Sequence, residues 1–165
     1  MILIGIGGNL ETTRYGPPRA ALTAALAALE AEGIRVVARS AWYLTEPVPR
    51  SAQPWFVNAV ASLATSLDAG DLLLALQAIE LRFGRVRSSE RNAVRILDLD
   101  LLDYHGRVSE TATLILPHPR LHLRRFVLAP LAEIAPEWRH PLSELTAVQL
   151  LTALGDVQPI KRLPV

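Results

Sequence analysis

The chain has 165 residues, half of them hydrophobic and 20% charged, a length and composition that predict one folded domain and exclude both disorder and a pair of large domains. Seventeen basic against sixteen acidic residues leave a formal net charge of +1, which argues against a protein that lives on duplex nucleic acid and for a small, locally charged ligand. The absence of cysteine removes disulfides, thiolate zinc sites, iron-sulfur clusters and cysteine nucleophiles together and fits a cytoplasmic protein.

Residues 1–8 lack the basic flank of an export signal, and the apolar stretch 20–29 is too short to span a bilayer. Lys161 is the only lysine among the basic residues. A lysine-based phosphate loop or Schiff base is therefore not expected, and since genomic bias or adaptation to heat also enriches arginine, the position of the arginines matters more than their number.

In chain order, residues 2–6 are a β-rich run ending in Gly5, Gly7, Gly8 and Asn9, which predicts a strand and then a turn of unusual backbone angles. Pro17 and Pro18 open a helix whose Leu22, Leu26 and Leu29 share a face, and Gly33 closes it. Ile34, Val36 and Ala38 alternate with Arg35, Val37 and Arg39, predicting one strand over 34–43. Pro47, Pro49 and Pro54 make 44–55 a long loop. Residues 56–65 resume strand character, with Phe56, Asn58 and Val60 on one face.

Asp68 and Asp71 suit the first turn of a helix with the stripe Leu72, Leu76, Ile79 and Phe83, closed by Gly84. A polar, arginine-rich stretch, 84–95, leads to a strand over 96–104, and His105-Gly106 reads as a hairpin turn into Val108. Residues 126–131 are strongly apolar, and 143–154 reads as a last helix capped by Ser143. The order strand, helix, strand, strand, helix, strand is that of a ferredoxin-like α+β layer, an antiparallel sheet with helices on one face.

The strongest chemical signal is Asp98-Leu99-Asp100. Aspartate is depleted from strands, yet here two carboxylates leave one face while Leu97, Leu99 and Leu101 enter the core. A divalent cation removes their repulsion, and hard oxygen ligands at this spacing suit magnesium. Alone, the pattern also fits a strand with one solvated face. Arg82, Arg85, Arg87, Arg91 and Arg95 precede that strand, and arginine beside a magnesium site is what a polyphosphate needs; pairing with Glu80 and Glu90 is the alternative.

A second basic set, Leu116-Pro117-His118-Pro119-Arg120 with Arg124, presents His118 to donate a hydrogen bond to a phosphate. His118 and His122 have a zinc-like spacing, but the flanking prolines argue against a helix that would bring them together. Asn58 and Phe56 supply an amide and a ring of the kind that read a planar heterocycle, although such a pair is also ordinary sheet packing. Phosphate-loop, dinucleotide, serine-elbow and kinase signatures do not match. These features leave open another two-metal enzyme, such as a nucleotidyl or glycosyl transferase. They also leave open an RNA-binding ferredoxin-like module, against which the near-neutral charge and 5% aromatic content speak.

Taken in order, Gly7-Gly8-Asn9-Leu10, Tyr43 to Val48, Gln53 to Asn58, Gln77-Ala78-Ile79-Glu80 through Gly84-Arg85-Val86-Arg87, Arg95 to Asp100, and Leu116 to His118-Pro119 with Arg124-Arg125-Phe126-Val127 resemble the 6-hydroxymethyl-7,8-dihydropterin pyrophosphokinases. The resemblance runs over nearly the whole chain. It implies a single pyrophosphokinase domain over 1–165, with three mobile active-site loops, 7–16, 44–55 and 84–95. The implied reaction is diphosphate transfer from ATP to the pterin hydroxymethyl group, releasing AMP, in folate biosynthesis.

It further implies that Asp98 and Asp100 hold two magnesium ions, one bridging the α and β phosphates and the other the β and γ phosphates. Gln77, Glu80, Arg85, Arg87, Arg95, His118 and Arg124 would serve the ATP site, with Arg85 and Arg95 tied to the chemical step. Thr45, Val48, Phe56, Asn58 and Phe126 would line the pterin site. A monomer without nucleic-acid or membrane partners is implied as well. The chain departs from the family pattern at Asn92-Ala93-Val94-Arg95, where a Trp-Gly-Pro-Arg segment is usual, and at Gly8, Pro49 and Arg125. Without the tryptophan a stacking lid over the pterin is lost, which predicts weaker pterin affinity or slower closure.

Overall fold

The two faces of the first strand decide the architecture. In the computed structural model, which describes residues 1–84 and 95–164, β1 (Ile2–Gly8) buries Ile2, Ile4 and Ile6 on one side and Leu3 on the other, where Gly5 and Gly7 follow it. It is followed by α1 (Pro18–Ala31), β2 (Arg35–Arg39), β3 (Tyr43–Thr45), β4 (Phe56–Ala64), α2 (Ala69–Arg82) and β5 (Asp98–Tyr104). Then come β6 (Ser109–Glu110), β7 (Ile115–Leu116), α3 (Arg125–Ile134), α4 (Ala147–Leu154) and β8 (Ile160–Arg162). The main sheet runs β5-β1-β4-β3-β8, with β2 also on β4, and each of its pairings is antiparallel.

The lower face of the sheet, with Ile4, Ile6, Val57, Ala59, Leu99 and Leu101, packs on Leu22 and Leu29 of α1 and Leu72, Leu76 and Ile79 of α2. Both helices begin as their sequences dictate. Pro17 and Pro18 stand at the start of α1, and the Asp68 carboxylate accepts the Asp71 N–H at 2.9 Å at the start of α2. The predicted stripe of α2 is buried, and Gly84 ends it at φ 88°.

Four expectations are corrected. Helices cover both faces, because Leu3, Val60 and Leu102 on the upper face pack with Val127, Leu128 and Leu131 of α3 and Ala147 and Leu150 of α4. The strand expected over 34–43 is two strands: a register shift between Val36 and Ala38 interrupts the alternation, and Ser40 N–H turns to Val60 O before β3 begins. His105 and Gly106 do form a turn of positive φ, but the following strand β6 pairs with β7. The last helix starts at Ala147, where Thr146 and Gln149 satisfy each other's N–H groups in a capping box, while Glu144 at φ 60° keeps 143–146 out of the helix.

Candidate active site

Strand pairing builds the site before any loop is considered. Gly7 stands opposite Asn58 of β4 on one side and Asp98 of β5 on the other; Gly5 likewise stands between Val60 and Asp100. Two residues without side chains thus lie between an amide-bearing strand and a carboxylate-bearing one. The gap is needed: a Cβ on Gly7 would fall 2.3 Å from Asn58 Oδ1. Over this floor lies a cavity of about 200 Å³, whose wall includes Thr45, Val48, Phe56, Asn58, Arg95, Asp98, Asp100, His118, Arg124 and Phe126.

At one end Asn58 Nδ2 donates to Thr45 Oγ1 at 2.6 Å, both residues being buried. This fixes the amide and leaves its carbonyl oxygen above Gly7. At the other end Arg95 donates to Asp98 at 2.8 Å, and Arg124 lies 3.6 Å from Asp100 and over the Phe126 ring. Burial pushes the Arg124 guanidinium pKa down, Asp100 pulls it up, and Arg120 and Arg95 oppose protonation further.

His118 Nε2 lies 3.9 Å from Asp100. Burial, then Arg124 and Arg120, push its pKa from 6.5 to about 4, so at neutral pH the ring is uncharged. Its Nδ1 accepts the Arg120 N–H at 3.1 Å, which leaves the proton on Nε2 as a neutral donor facing the carboxylates. The segment is held in place by the His118 N–H, which donates to the Leu102 carbonyl at 2.9 Å.

Two of the described residues expected at the ATP site do not line the cavity. Glu80 is 5% exposed and lies beneath β5, where its Oε1 accepts the Leu99 N–H at 2.7 Å; Gln77 stands one turn earlier on α2. Arg85, Arg87, Arg91 and Asn92 lie outside the described residues.

Other contributors were not among the site residues expected from sequence, although Asn9, Glu46 and Arg120 lie in segments singled out there. Asn9, 3% exposed, accepts the Arg95 N–H at 2.9 Å and donates to Gln53 Oε1 and the Pro54 carbonyl, joining three loops through one side chain. Glu46, Arg120 and Gln158 also stand in the wall. Asn9 occurs in a noticed motif, but Gln158 lies in a tail whose composition marks nothing.

The 7,8-dihydro-6-hydroxymethylpterin-pyrophosphokinase family model matches residues 3–136. The chain belongs to this family. It is 42% identical over 163 residues to a 2-amino-4-hydroxy-6-hydroxymethyldihydropteridine pyrophosphokinase of Synechocystis, covering 95% of this chain and 80% of that one. It is 41% identical to the Pseudomonas aeruginosa protein of the same name, covering 99% and 96%. A folic acid synthesis protein of Pneumocystis carinii is 33% identical over 96% of this chain, which corresponds to 21% of that longer protein. As a pyrophosphokinase the chain is an enzyme, and the matched residues include every described residue of the cavity except those of the tail. Among the described residues no helix is long and apolar enough to cross a membrane.

Proposed function

We propose that this cavity is where ATP passes its β,γ-diphosphate to 6-hydroxymethyl-7,8-dihydropterin, with the heterocycle at the Thr45, Val48, Phe56, Asn58 and Phe126 end and the polyphosphate at the Asp98 and Asp100 end. The observation that carries the placement is the strand register: Asn58 and Asp98 flank the same bare glycine, Gly7. A group held by the amide therefore has its reactive arm beside the carboxylates. The hydroxymethyl oxygen attacks the β-phosphorus, the bond from that phosphorus to the bridging oxygen breaks, AMP leaves with that oxygen, and the hydroxyl proton passes to solvent.

The donor set fits magnesium. Asp98 and Asp100 offer hard oxygens from one strand face, and Gly5 and Gly7 opposite them leave room for phosphate and water oxygens to complete a shell. Bound there, magnesium supplies charge neutralisation on the polyphosphate; we assign two ions. Arg95 and Arg124, which now contact these carboxylates, turn to phosphate oxygens, and Nε2–H of His118 adds a neutral donor. No general base is assigned. Positioning and electrostatics provide the rate, as in other phosphoryl transfers. Glu80 serves the ATP end from beneath the strand, and contacts of Gln77, Arg85 and Arg87 with ATP rest on the family resemblance.

The Asn9 bonds to Gln53, Pro54 and Arg95 support closure of the loops 7–16 and 44–55 together, which would keep water from competing as acceptor; of the third expected loop, 84–95, residues 85–94 lie outside the described residues. The strand order β5-β1-β4, with β2 and β3 both on β4, supports a ferredoxin-like layer. The pairing of β8 with β3 supports a single domain over 1–165. We read the enzyme as a cytoplasmic monomer with no nucleic-acid or membrane partner, in keeping with a net charge of +1.

Phosphorus NMR of the protein with Mg-ATP and 6-hydroxymethyl-7,8-dihydropterin tests the reading. AMP and a new diphosphate ester, both requiring the pterin, are expected. ADP as product, or ATP binding without turnover, would overturn it.

A further inference from the structure

Gln158 lies in the cavity wall and is 4% exposed. Its amide is used within the protein: Nε2 donates to the Glu46 carbonyl at 2.7 Å, and Oε1 accepts the Phe126 N–H at 3.2 Å. The second bond answers a need of the helix. Phe126 is in the first turn of α3, where the helix offers its N–H no i−4 acceptor, and the Arg124 side chain at the N-cap position gives none. Gln158 caps α3 from the other end of the chain.

The backbone that carries Gln158 is anchored separately. Arg125 donates to the Gln158 carbonyl at 2.8 Å and pairs with Asp156, the Glu46 N–H donates to Pro159 O at 3.1 Å, and β8 lies along β3. A side chain that bonds two separate segments in this way ties them together. It sets the distance between its two partners, which here are the loop carrying Thr45 to Val48 and the helix start carrying Phe126.

We propose that Gln158 is a positioning residue for the heterocycle, fixing the width of the slot between Phe126 and the Glu46 to Val48 segment so that it admits a flat bicyclic ring. The inference rests on the pterin end being where we have placed it. Gln158→Met keeps the side-chain volume and removes both bonds; Gln158→Glu keeps the acceptor for Phe126 and sets a carboxylate oxygen against the Glu46 carbonyl.

Steady-state kinetics on both variants, with binding of a non-hydrolysable Mg-ATP analogue, tests the proposal. Both should raise KM for the pterin by about tenfold, with kcat and analogue affinity within about twofold of wild type. An unmoved KM in Gln158→Met overturns the proposal, as does a parallel loss of analogue binding, which would mark a general structural role. Wild-type KM in Gln158→Glu would overturn the two-sided bridge. Wild-type enzyme that forms no AMP with the pterin would overturn the underlying reading too, whereas wild-type turnover with normal Gln158→Met kinetics removes this inference alone.

Discussion

The N–H of Leu99 donates to Glu80 Oε1 at 2.7 Å, placing a buried carboxylate beneath the residue that separates Asp98 from Asp100. Strand β5 is at the sheet edge, where outward N–H and C=O groups need partners. Glu80 answers one, and the His118 N–H, donating to the Leu102 carbonyl, answers another. Covering the edge therefore also brings His118 beside Asp100.

Glu80→Ala removes the acceptor of a buried N–H and should destabilise the fold by about 2 kcal/mol. Glu80→Gln, which keeps an acceptor, should cost less. Urea denaturation measures both, and equal midpoints for wild type and Glu80→Ala would show that the bond contributes nothing.

Gly7→Ala and Gly5→Ala form a matched pair. A Cβ at Gly7 meets Asn58 Oδ1 at 2.3 Å, whereas one at Gly5 meets nothing closer than Leu102 Cδ2 at 3.6 Å. Gly7→Ala must displace the Asn58 amide and should raise KM for the pterin at least about tenfold, with Gly5→Ala milder. Indistinguishable kinetics for the two would break the link between Asn58 and the heterocycle.

Asp98→Ala and Asp100→Ala should abolish turnover while leaving thermal unfolding cooperative, since both side chains face the cavity and the strand's core contacts come from Leu99, Leu101 and Leu102. AMP release at wild-type rate in both variants would refute the metal assignment.

His118 gives a pH signature. Its folded pKa of about 4 lies below the ordinary 6.5, so as pH falls the unfolded chain takes up this proton first. The contribution favouring the fold is complete above about pH 6.5 and is lost as pH falls towards about 4. Burial, then His122, moves His140 the same way, so His118→Gln should flatten only part of the decline in urea midpoint between pH 6.5 and 4. An unchanged slope would contradict the buried, neutral His118.

Local periodicity made the core legible. Leu72, Leu76 and Ile79 at helical spacing, and Leu97, Leu99 and Leu101 at strand spacing, are buried as their patterns require. The bulge between Val36 and Ala38 and the cap at Thr146 escaped, because a register shift and a choice among Ser143, Glu144 and Thr146 depend on partners distant in sequence or on backbone angles. The cavity was legible where function demanded an unusual residue, as with aspartates in a strand or histidine between prolines. Gln158 was not, because a glutamine in a tail acquires meaning only through Glu46 and Phe126, which lie 112 and 32 positions away.

The alternation along β1 has an evolutionary consequence. Isoleucines at 2, 4 and 6 face the α1 and α2 layer, while Gly5 and Gly7 face the cavity. From Ile4 to Gly7 residues of the lower core alternate with residues of the cavity floor, while Leu3 on the cavity side joins the upper core. A change at a cavity position such as Asn58 opens no void in the layer below, so one inherited core can carry differently tuned cavities.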